Sequence, residues 1–360
     1  MNYILFDPPN LESFYPFALT RPLGEMRILG GTIKELWEEV LNQKVSYLTN
    51  TYLSEIYPTN WESENIFIPS LILPEFLSLK IGDDLLLNEL KKYSIISSKC
   101  NLDEIQKKWL SITEGSSLIY KNLADLIFHF QKNVFFLSKK SSIDCSINPL
   151  FNDDDGPIII DDDVTIMQGA MIRGPVHICK GSVIKMGAKI YGPTVIGPNC
   201  KIGGEVSRCI FLGHSNKAHE GFLGDSIIGE WCNIGAGTSN SNLKNNYKSV
   251  KMWDYCENKF KDSGHQFLGM YMGDHSKCSI NSSFNTGTTV GVSCNIYGSG
   301  FPRNFIPSFS WGGSAGFKEY NIENSVITAK IVMKRRNIEM SKKYEIMLRK
   351  VYDMTKIYRL

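Results

Sequence analysis

The amino-acid sequence predicts three parts: an α/β N-terminal domain, a left-handed parallel β-helix built from hexapeptide repeats, and a C-terminal helical segment. Three observations predict this class. Isoleucines recur at a fixed spacing of six in the middle of the chain. Short apolar runs alternate with helical patterns before them, and a charged amphipathic stretch without glycine or proline follows them. The predicted boundaries are 1–145, 156–316 and 317–360.

The N-terminal part mixes two periodicities. Its short apolar runs read YILF, VSYL and VFFL, and helical patterns such as IKELWEEVL lie between them. Such alternation is typical of a small α/β layer. The polar run SKKSSIDCSINPLFNDDDG is the predicted link to the repeats.

The repeats begin with a strict ladder of isoleucines. Six matches neither the helical period of 3.6 nor simple strand alternation, and a fixed period indicates a repeat architecture. In a hexapeptide β-helix one aliphatic residue per hexad points inward, and three hexads close a triangular coil that, in known examples, winds left-handed. The ladder comprises eight isoleucines: Ile160, Ile166, Ile172, Ile178, Ile184, Ile190, Ile196 and Ile202.

The ladder breaks after Ile202. The register slips by two residues, and we expect it to resume at Ile210, to pass over Asn216, and to continue through Phe222 and Ile228. A polar excursion over about 239–268 follows before the period returns at Met272. The inward residues of the ladder are expected only to pack in the core of the solenoid. We therefore expect the functional residues to lie where the pattern breaks.

The C-terminal segment, residues 317–358, predicts one or two amphipathic helices that cap the solenoid. Its basic residues are interpreted as a solvated helix face.

Composition narrows the class of partner. The net charge of +2 gives no reason to expect nucleic acid or a membrane surface. The nine cysteines are scattered and form no CxxC pair, which favours reduced thiols. Neither a signal peptide nor an apolar run of membrane-spanning length is evident. We therefore expect a cytoplasmic protein.

The break itself, GHSNKAHEGFLGDSIIGEWCNIGAGTSNSN, carries candidate chemistry. A histidine side chain titrates near neutral pH and can act as the general base that acyl transfer from a thioester to an amine requires. Asn233 and Asn242 can hold a polar substrate, and Lys217 or Lys244 can pair with a phosphate.

The order KAHEGFLGD, NIGAGT and SN resembles the acetyltransferase half of the bifunctional N-acetylglucosamine-1-phosphate uridyltransferase/glucosamine-1-phosphate N-acetyltransferase family. Counted back from Gly224-Asp225, His219 falls on the family's catalytic histidine. Asn233 and Asn242 fall on active-site asparagines. Two family tyrosines are replaced, by Phe222 and Leu243. The runs KMGAKIYG, IGGEV, MGDHSK and GFPRNFIPSFSWGG resemble a variant branch of sugar nucleotidyltransferases from Bacteroidetes-like bacteria.

For the N-terminal part the resemblance implies a reduced nucleotidyltransferase-like domain. The family's Gly-x-Gly turn is missing after the strand YILF. Thr20 and Arg21 are the candidates for its Thr-Arg pair, and Glu25 and Arg27 for further nucleotide ligands. A reduced or structural domain is the favoured interpretation, and Mg²⁺ is expected only if this domain is active. Asp83-Asp84 and Asp153–Asp155 are interpreted as acidic loops.

The resemblance thus implies an acetyl-CoA-dependent N-acetyltransferase of an amino-sugar 1-phosphate, coupled to a sugar-1-phosphate nucleotidyltransferase domain, in sugar-nucleotide biosynthesis of the UDP-N-acetylglucosamine type. It further implies a homotrimer with coenzyme A in the groove between neighbouring solenoids, and UTP as a second substrate if the N-terminal domain is active.

Three alternatives remain open. Nucleotidyl transfer could be the main activity. His214 and His219, with His177, resemble the zinc ligands of γ-class carbonic anhydrases; zinc would then replace the acyl-transfer chemistry. The third alternative is a non-catalytic trimeric scaffold.

Overall fold

The N-terminal part is an α/β unit built on a four-stranded sheet. The computed structural model describes residues 2–28, 31–73, 94–113, 122, 124–125 and 150–359. The sheet has the order β4-β1-β5-β6; the first three strands are parallel and β6 is antiparallel. The strands of this unit are β1 Asn2–Phe6, β2 Arg27–Ile28, β3 Gly31–Thr32, β4 Val45–Leu48, β5 Asn65–Pro69 and β6 Ile95–Ser97.

The helices of this unit are α1 Ile33–Leu41, α2 Thr51–Ser54 and α3 Leu102–Thr113. Helix α1 begins at a capping box, in which the Thr32 side chain accepts from the Glu35 N–H and the Glu35 carboxylate accepts from the Thr32 N–H. It ends at Asn42, which adopts the left-handed conformation that stops a helix.

The middle of the chain is a parallel β-solenoid with three sheets, which confirms the predicted repeat fold. The five-stranded sheet holds β7 Phe151–Asn152, β10 Met171–Arg173, β13 Lys189–Tyr191, β16 Glu205–Ser207 and β19 Phe222–Gly224. The eight-stranded sheet holds β8 Ile158–Ile160, β11 Val176–Ile178, β14 Thr194–Ile196, β17 Ile210–Gly213, β20 Ile227–Glu230, β25 Met270–Met272, β28 Thr288–Val290 and β30 Phe305–Ile306.

The nine-stranded sheet holds β9 Thr165–Ile166, β12 Val183–Ile184, β15 Lys201–Ile202, β18 Asn216–Lys217, β21 Asn233–Ile234, β26 Lys277–Cys278, β29 Asn295–Ile296, β31 Ser310–Gly313 and β32 Gly316–Glu319. Strands β22 Ser239–Asn240 and β27 Ser283–Phe284 pair separately. The polar excursion forms an antiparallel hairpin of β23 Lys251–Asp254 and β24 Lys259–Asp262.

The predicted ladder is confirmed over its regular part. The eight isoleucines stack in register from coil to coil; for example, Ile166, Ile184 and Ile202 are aligned on the nine-stranded sheet. The last six of the eight are at most 1% exposed. Their burial removes a continuous apolar surface from water, which is the main source of solenoid stability.

The register predicted beyond Ile202 is wrong by one residue at three positions, which are Ile210, Asn216 and Phe222. Ile196 pairs with Phe211, 15 residues on instead of 18, so Phe211 points inward and Ile210 points outward. Similarly, Leu223 occupies the inward position that was expected for Phe222. The shorter coil also places Lys217, a charged residue, on the inward row beside Ile202.

The N-terminal unit covers the outer face of the eight-stranded sheet. Val195, Ile210, Ile227 and Tyr271 on that face are buried in one core with the apolar residues of the N-terminal strands. One face of the solenoid is therefore occupied within the chain.

A buried polar network joins the two parts. The Arg21 guanidinium donates to the Asp274 carboxylate and lies 3.3 Å from the Glu230 carboxylate. Thr20 Oγ1 donates to the same Asp274 side chain at 2.7 Å. Thr20, Arg21 and Asp274 are all buried. Because each charge is paired, this contact is compatible with a dry interface.

The C-terminal segment is helical, as predicted, with α4 Ile322–Lys334 and α5 Lys342–Met354. Its helices also run back along the solenoid. His275 Nε2 and the Tyr344 hydroxyl lie 3.0 Å apart, and Arg336 donates to the Asn216 side chain at 2.8 Å. None of the described helices is long and apolar enough to cross a membrane.

Candidate active site

The candidate base, His219, lies at a corner of the solenoid. It follows β18 of the nine-stranded sheet by two residues and precedes β19 of the five-stranded sheet by three. The residue is exposed. Its imidazole is therefore accessible to a substrate at the corner opposite the eight-stranded sheet.

Lys217 holds the backbone of this corner from inside. Its side chain is 2% exposed, and its Nζ donates to the carbonyl oxygens of His219 at 2.6 Å and Gly203 at 3.0 Å. Burial lowers the pKa of Lys217 to about 8. Lys217 was predicted to bind a phosphate, which requires a side chain that faces solvent; here its ammonium faces the interior.

Glycines allow the coils to approach each other closely at the same corner. Gly204 has a φ of +68°, and a Cβ there would lie 2.7 Å from the His219 carbonyl oxygen and 2.8 Å from Lys217 Nζ. Two residues after His219, Gly221 has a φ of +122°, and a Cβ added there would lie 2.1 Å from the carbonyl oxygen of Thr238 in the next coil. Only glycine fits these two positions, which explains the run IGGEV and the HEG sequence.

Asn233 lies on the nine-stranded sheet, one coil away from His219. It is exposed and pairs in register with Asn216, whose amide nitrogen donates to the Asn233 side-chain oxygen at 3.2 Å. Since Asn216 precedes His219 by three residues, an extended chain separates them by at most about 10 Å. The structure therefore brings Asn233 to the His219 side of the solenoid.

Asn242 lies at the other end of strand β19. Its amide nitrogen donates to Asp225 at 2.6 Å, and Arg208 donates to both oxygens of the same carboxylate at 2.7 and 2.8 Å. These bonds orient the Asn242 amide oxygen away from Asp225. The hydrogen bonds to Asp225 also raise the pKa of Arg208. Lys244 donates to the Ser249 carbonyl oxygen at 2.7 Å, beside a polar depression lined by Ser241, Asn246 and Thr286.

The four N-terminal candidates do not gather around one open site. The polar groups of Thr20 and Arg21 are held by Asp274 in the buried network described above. Glu25 accepts from the Tyr47 hydroxyl at 2.7 Å, and Arg27 lies 3.4 Å from Glu35. Their role in nucleotide binding stays a prediction.

Of the acidic runs, Asp83-Asp84 lies outside the described residues. Asp155 pairs with Arg173 at 2.5 Å. That ion pair is exposed at the surface. The interpretation of Asp153–Asp155 as an acidic loop stays a prediction.

The three histidines of the zinc alternative lie in different surroundings within one chain. The His214 ring stacks on Trp231 with centroids 4.1 Å apart, and burial lowers its pKa. His177 is buried beside Asp161 and Cys179. Among the described residues, Asp161, His177 and Cys179 are the potential metal ligands whose donor atoms lie close together. This group includes neither His214 nor His219.

Two polar residues of the site were not singled out from the sequence. Asp225 served only as a marker for counting back to His219, yet it fixes both Asn242 and Arg208. Asn240 is buried, and its side-chain oxygen accepts from the Gly224 N–H at 2.9 Å. An asparagine at an inward ladder position was the available signal.

Comparison with known proteins agrees with the motifs. Residues 3–93 match the family model described as sugar nucleotidyl transferase. A bifunctional sugar-1-phosphate nucleotidylyltransferase/acetyltransferase of Sulfurisphaera tokodaii is 35% identical over 144 residues, which is 39% of this chain and 35% of that protein. The bifunctional protein GlmU of Methanocaldococcus jannaschii is 38% identical over 105 residues, which is 29% of this chain and 25% of GlmU.

A solved structure from Bacillus cereus, described as an acetyltransferase, is 14% identical with a TM-score of 0.31 and covers 57% of this chain and 96% of its own. The matched stretches span only about a quarter to a third of the length of the two curated relatives. Within those limits, the chain is confirmed to resemble the bifunctional nucleotidyltransferase/acetyltransferases, with the sugar nucleotidyl transferase match in its N-terminal part.

Proposed function

We propose that the protein is an acetyl-CoA-dependent N-acetyltransferase that acts on an amino-sugar 1-phosphate. The observation that carries the proposal is the exposed His219 at a solenoid corner whose backbone is fixed by Lys217 from inside and by close glycine contacts from both neighbouring coils. A base held on a rigid element can be aimed at a reacting amine without paying for reorganisation.

The proposed reaction is aminolysis of a thioester. His219 accepts a proton from the sugar amine as the nitrogen attacks the acetyl carbonyl carbon, the C–N bond forms, and the C–S bond breaks. The imidazolium then returns the proton to the departing thiolate of coenzyme A. Asn233 and Asn242 hold the sugar through their amides, and Lys244 is the remaining candidate partner of the 1-phosphate.

Lys217 takes a different role in this proposal from phosphate binding. We assign it as a positioning residue, because its ammonium holds the carbonyl oxygens of Gly203 and His219. Coenzyme A is proposed to lie between neighbouring solenoids of a homotrimer in the cytoplasm, as in the family that the motifs resemble.

A second candidate activity is nucleotidyl transfer from UTP to the sugar 1-phosphate. The family-model match over residues 3–93 favours it. This activity would need Mg²⁺ and a nucleotide site within the N-terminal part.

The test is an acetylation assay with acetyl-CoA and glucosamine 1-phosphate, followed by addition of UTP to detect pyrophosphate. His219→Ala is expected to lower kcat for acetyl transfer by about 10²–10⁴-fold, the usual contribution of general base catalysis. His214→Gln, which changes a nearby histidine outside the proposed machinery, is the matched control and should keep kcat. Wild-type activity that survives His219→Ala would contradict the assigned base. Pyrophosphate release without acetyl transfer would reverse the ranking of the two activities.

A further inference from the structure

A second group of reactive side chains lies at the eight-stranded sheet, where the first coils of the solenoid meet the N-terminal part. Asp161 follows strand β8, His177 lies in β11, and Cys179 directly follows β11. Because Ile160 pairs with Ile178, Asp161 and Cys179 are neighbours in adjacent coils. His177 and Cys179 are two residues apart and point to the same side of their strand.

The donor atoms of these residues converge. His177 Nε2 lies 3.1 Å from Asp161 Oδ1 and 3.8 Å from Cys179 Sγ, and the sulfur lies 4.0 Å from Nδ1. All three ligand atoms lie within 4.8 Å of one another. A tetrahedral zinc ion with ordinary bond lengths places neighbouring nitrogen and oxygen ligands about 3.3 Å apart, and nitrogen and sulfur ligands about 3.6 Å apart. The Nε2–Oδ1 and Nε2–Sγ distances are each within about 0.3 Å of these values. Because Sγ is almost as close to Nδ1 as to Nε2, the imidazole ring or the thiol must rotate before Nε2 and Sγ can bind one ion.

The burial of the group argues against an incidental surface cluster. His177 is 0% and Cys179 3% exposed, whereas the Asp161 side chain is 17% exposed and leaves a route from solvent. The geometry also differs from a nucleophilic Cys-His-Asp triad, in which acid and nucleophile use opposite ring nitrogens. Here the aspartate oxygen lies at Nε2, the nitrogen that is nearer to the sulfur.

The surroundings suit a metal-bound thiolate. Arg27 Nη1 of the N-terminal part lies 3.8 Å from Cys179 Sγ and can donate to it. Such outer contacts to ligand atoms are the usual support of protein metal sites. One thiolate, one imidazole and one carboxylate together favour zinc over magnesium or calcium, which prefer oxygen ligands alone.

We propose that Asp161, His177 and Cys179 form a binding site for a divalent zinc-type metal ion, with water as the fourth ligand. The site joins two consecutive coils of the solenoid, and through Arg27 it lies against the N-terminal part. It shares His177 with the histidine set that resembles carbonic anhydrases but includes neither His214 nor His219, and it does not depend on the proposed acetyl transfer.

The experiment uses the full chain, stripped with a chelator and titrated with Co²⁺ and, separately, Zn²⁺. We expect one metal ion per chain and a near-ultraviolet cobalt–thiolate absorption. Cys179→Ser should abolish that absorption and lower the metal affinity by more than the 10–100-fold that outer contacts usually contribute. Cys256→Ser and His214→Gln are matched controls, and both should keep stoichiometry and absorption.

Two results would overturn the proposal. The first is cobalt binding to the wild type without a thiolate absorption, or no binding at all, which needs no variant to observe. The second is a folded Cys179→Ser or Asp161→Asn protein, checked by far-ultraviolet circular dichroism, that binds metal as tightly as the wild type. Loss of metal in His214→Gln with retention in Cys179→Ser would instead assign the metal to the histidine set.

Discussion

Lys217→Met probes the buried lysine that holds the candidate active-site corner. Lys217 sits on the inward row of the solenoid beside Ile202, where every earlier coil of the nine-stranded sheet has isoleucine. Methionine has a similar length and no charge, so it removes the ammonium with little change in volume.

The expected magnitude follows from the pKa. Burial lowers the pKa of Lys217 from 10.5 to about 8. Between these two pH values Lys217 is protonated in the unfolded chain and neutral in the folded chain. The free energy of unfolding of the wild type therefore rises with pH across this window. At 1.36 kcal/mol per pH unit, the difference amounts to about 3 kcal/mol. Methionine has no such proton, so this rise is absent in the variant.

The assay is urea unfolding, followed by far-ultraviolet circular dichroism at several pH values from 7 to 10. The quantity of interest is the wild-type minus variant free energy, because contributions common to both proteins cancel. Lys180→Met is the control, since the Lys180 side chain is 69% exposed and pairs with Asp163 at the surface. A wild-type minus Lys217→Met difference that stays constant from pH 7 to pH 10 would refute the buried-ammonium reasoning. As a positioning residue, Lys217 should also affect kcat for acetyl transfer more than KM.

Two further predictions concern packing. Gly204→Ala should lower acetyl transfer strongly, because the new methyl group would collide with the His219 carbonyl oxygen. Gly187→Ala is the control, since Gly187 has a similar φ of +66° but open space around it. This control should keep acetyl transfer and lower the free energy of unfolding only by the backbone strain of about 1–2 kcal/mol. Equal activity of the two alanine variants would count against the collision. Asp274→Ala should lower the free energy of unfolding in urea by about 3–5 kcal/mol, because it removes the carboxylate that pairs with the buried Arg21 guanidinium. The double variant Arg21→Met/Asp274→Leu removes both charges, so its free energy of unfolding should be much closer to that of the wild type. A double variant as unstable as Asp274→Ala would contradict this account.

The sequence could predict the solenoid because its period is carried by chemically similar residues. A spacing of six aliphatic side chains identifies the coil directly, and each of the eight isoleucines occupies the expected row. The prediction failed where the coil shortens by three residues. There Ile210 and Phe211 are both apolar, so the pattern alone cannot tell which one points inward. An inward lysine is equally invisible to a search for apolar periodicity.

The candidate site could be predicted only in part, for a related reason. The motif singles out His219, Asn233 and Asn242 as candidates, whereas Asn233 and Asn242 make their contacts with residues of other coils. Thr20 and Arg21 donate their side-chain hydrogen bonds to Asp274, about 250 positions away along the chain. A local sequence pattern carries no information about such a distant partner. The motif alone therefore cannot distinguish a Thr-Arg pair buried between two domains from a Thr-Arg pair at a nucleotide site.

The covered face of the solenoid affects how a reaction product could diffuse from the His219 corner to the N-terminal part. The N-terminal part occupies the eight-stranded sheet, while His219 lies at the corner between the other two sheets. Within one chain, the packed coil therefore stands between the two regions. A product formed at His219 would have to travel around the solenoid through bulk water to reach the N-terminal part. Within one chain, an intermediate shared by the two regions would thus be open to dilution and to capture by a competing enzyme, because the described core of the solenoid is packed with buried apolar side chains.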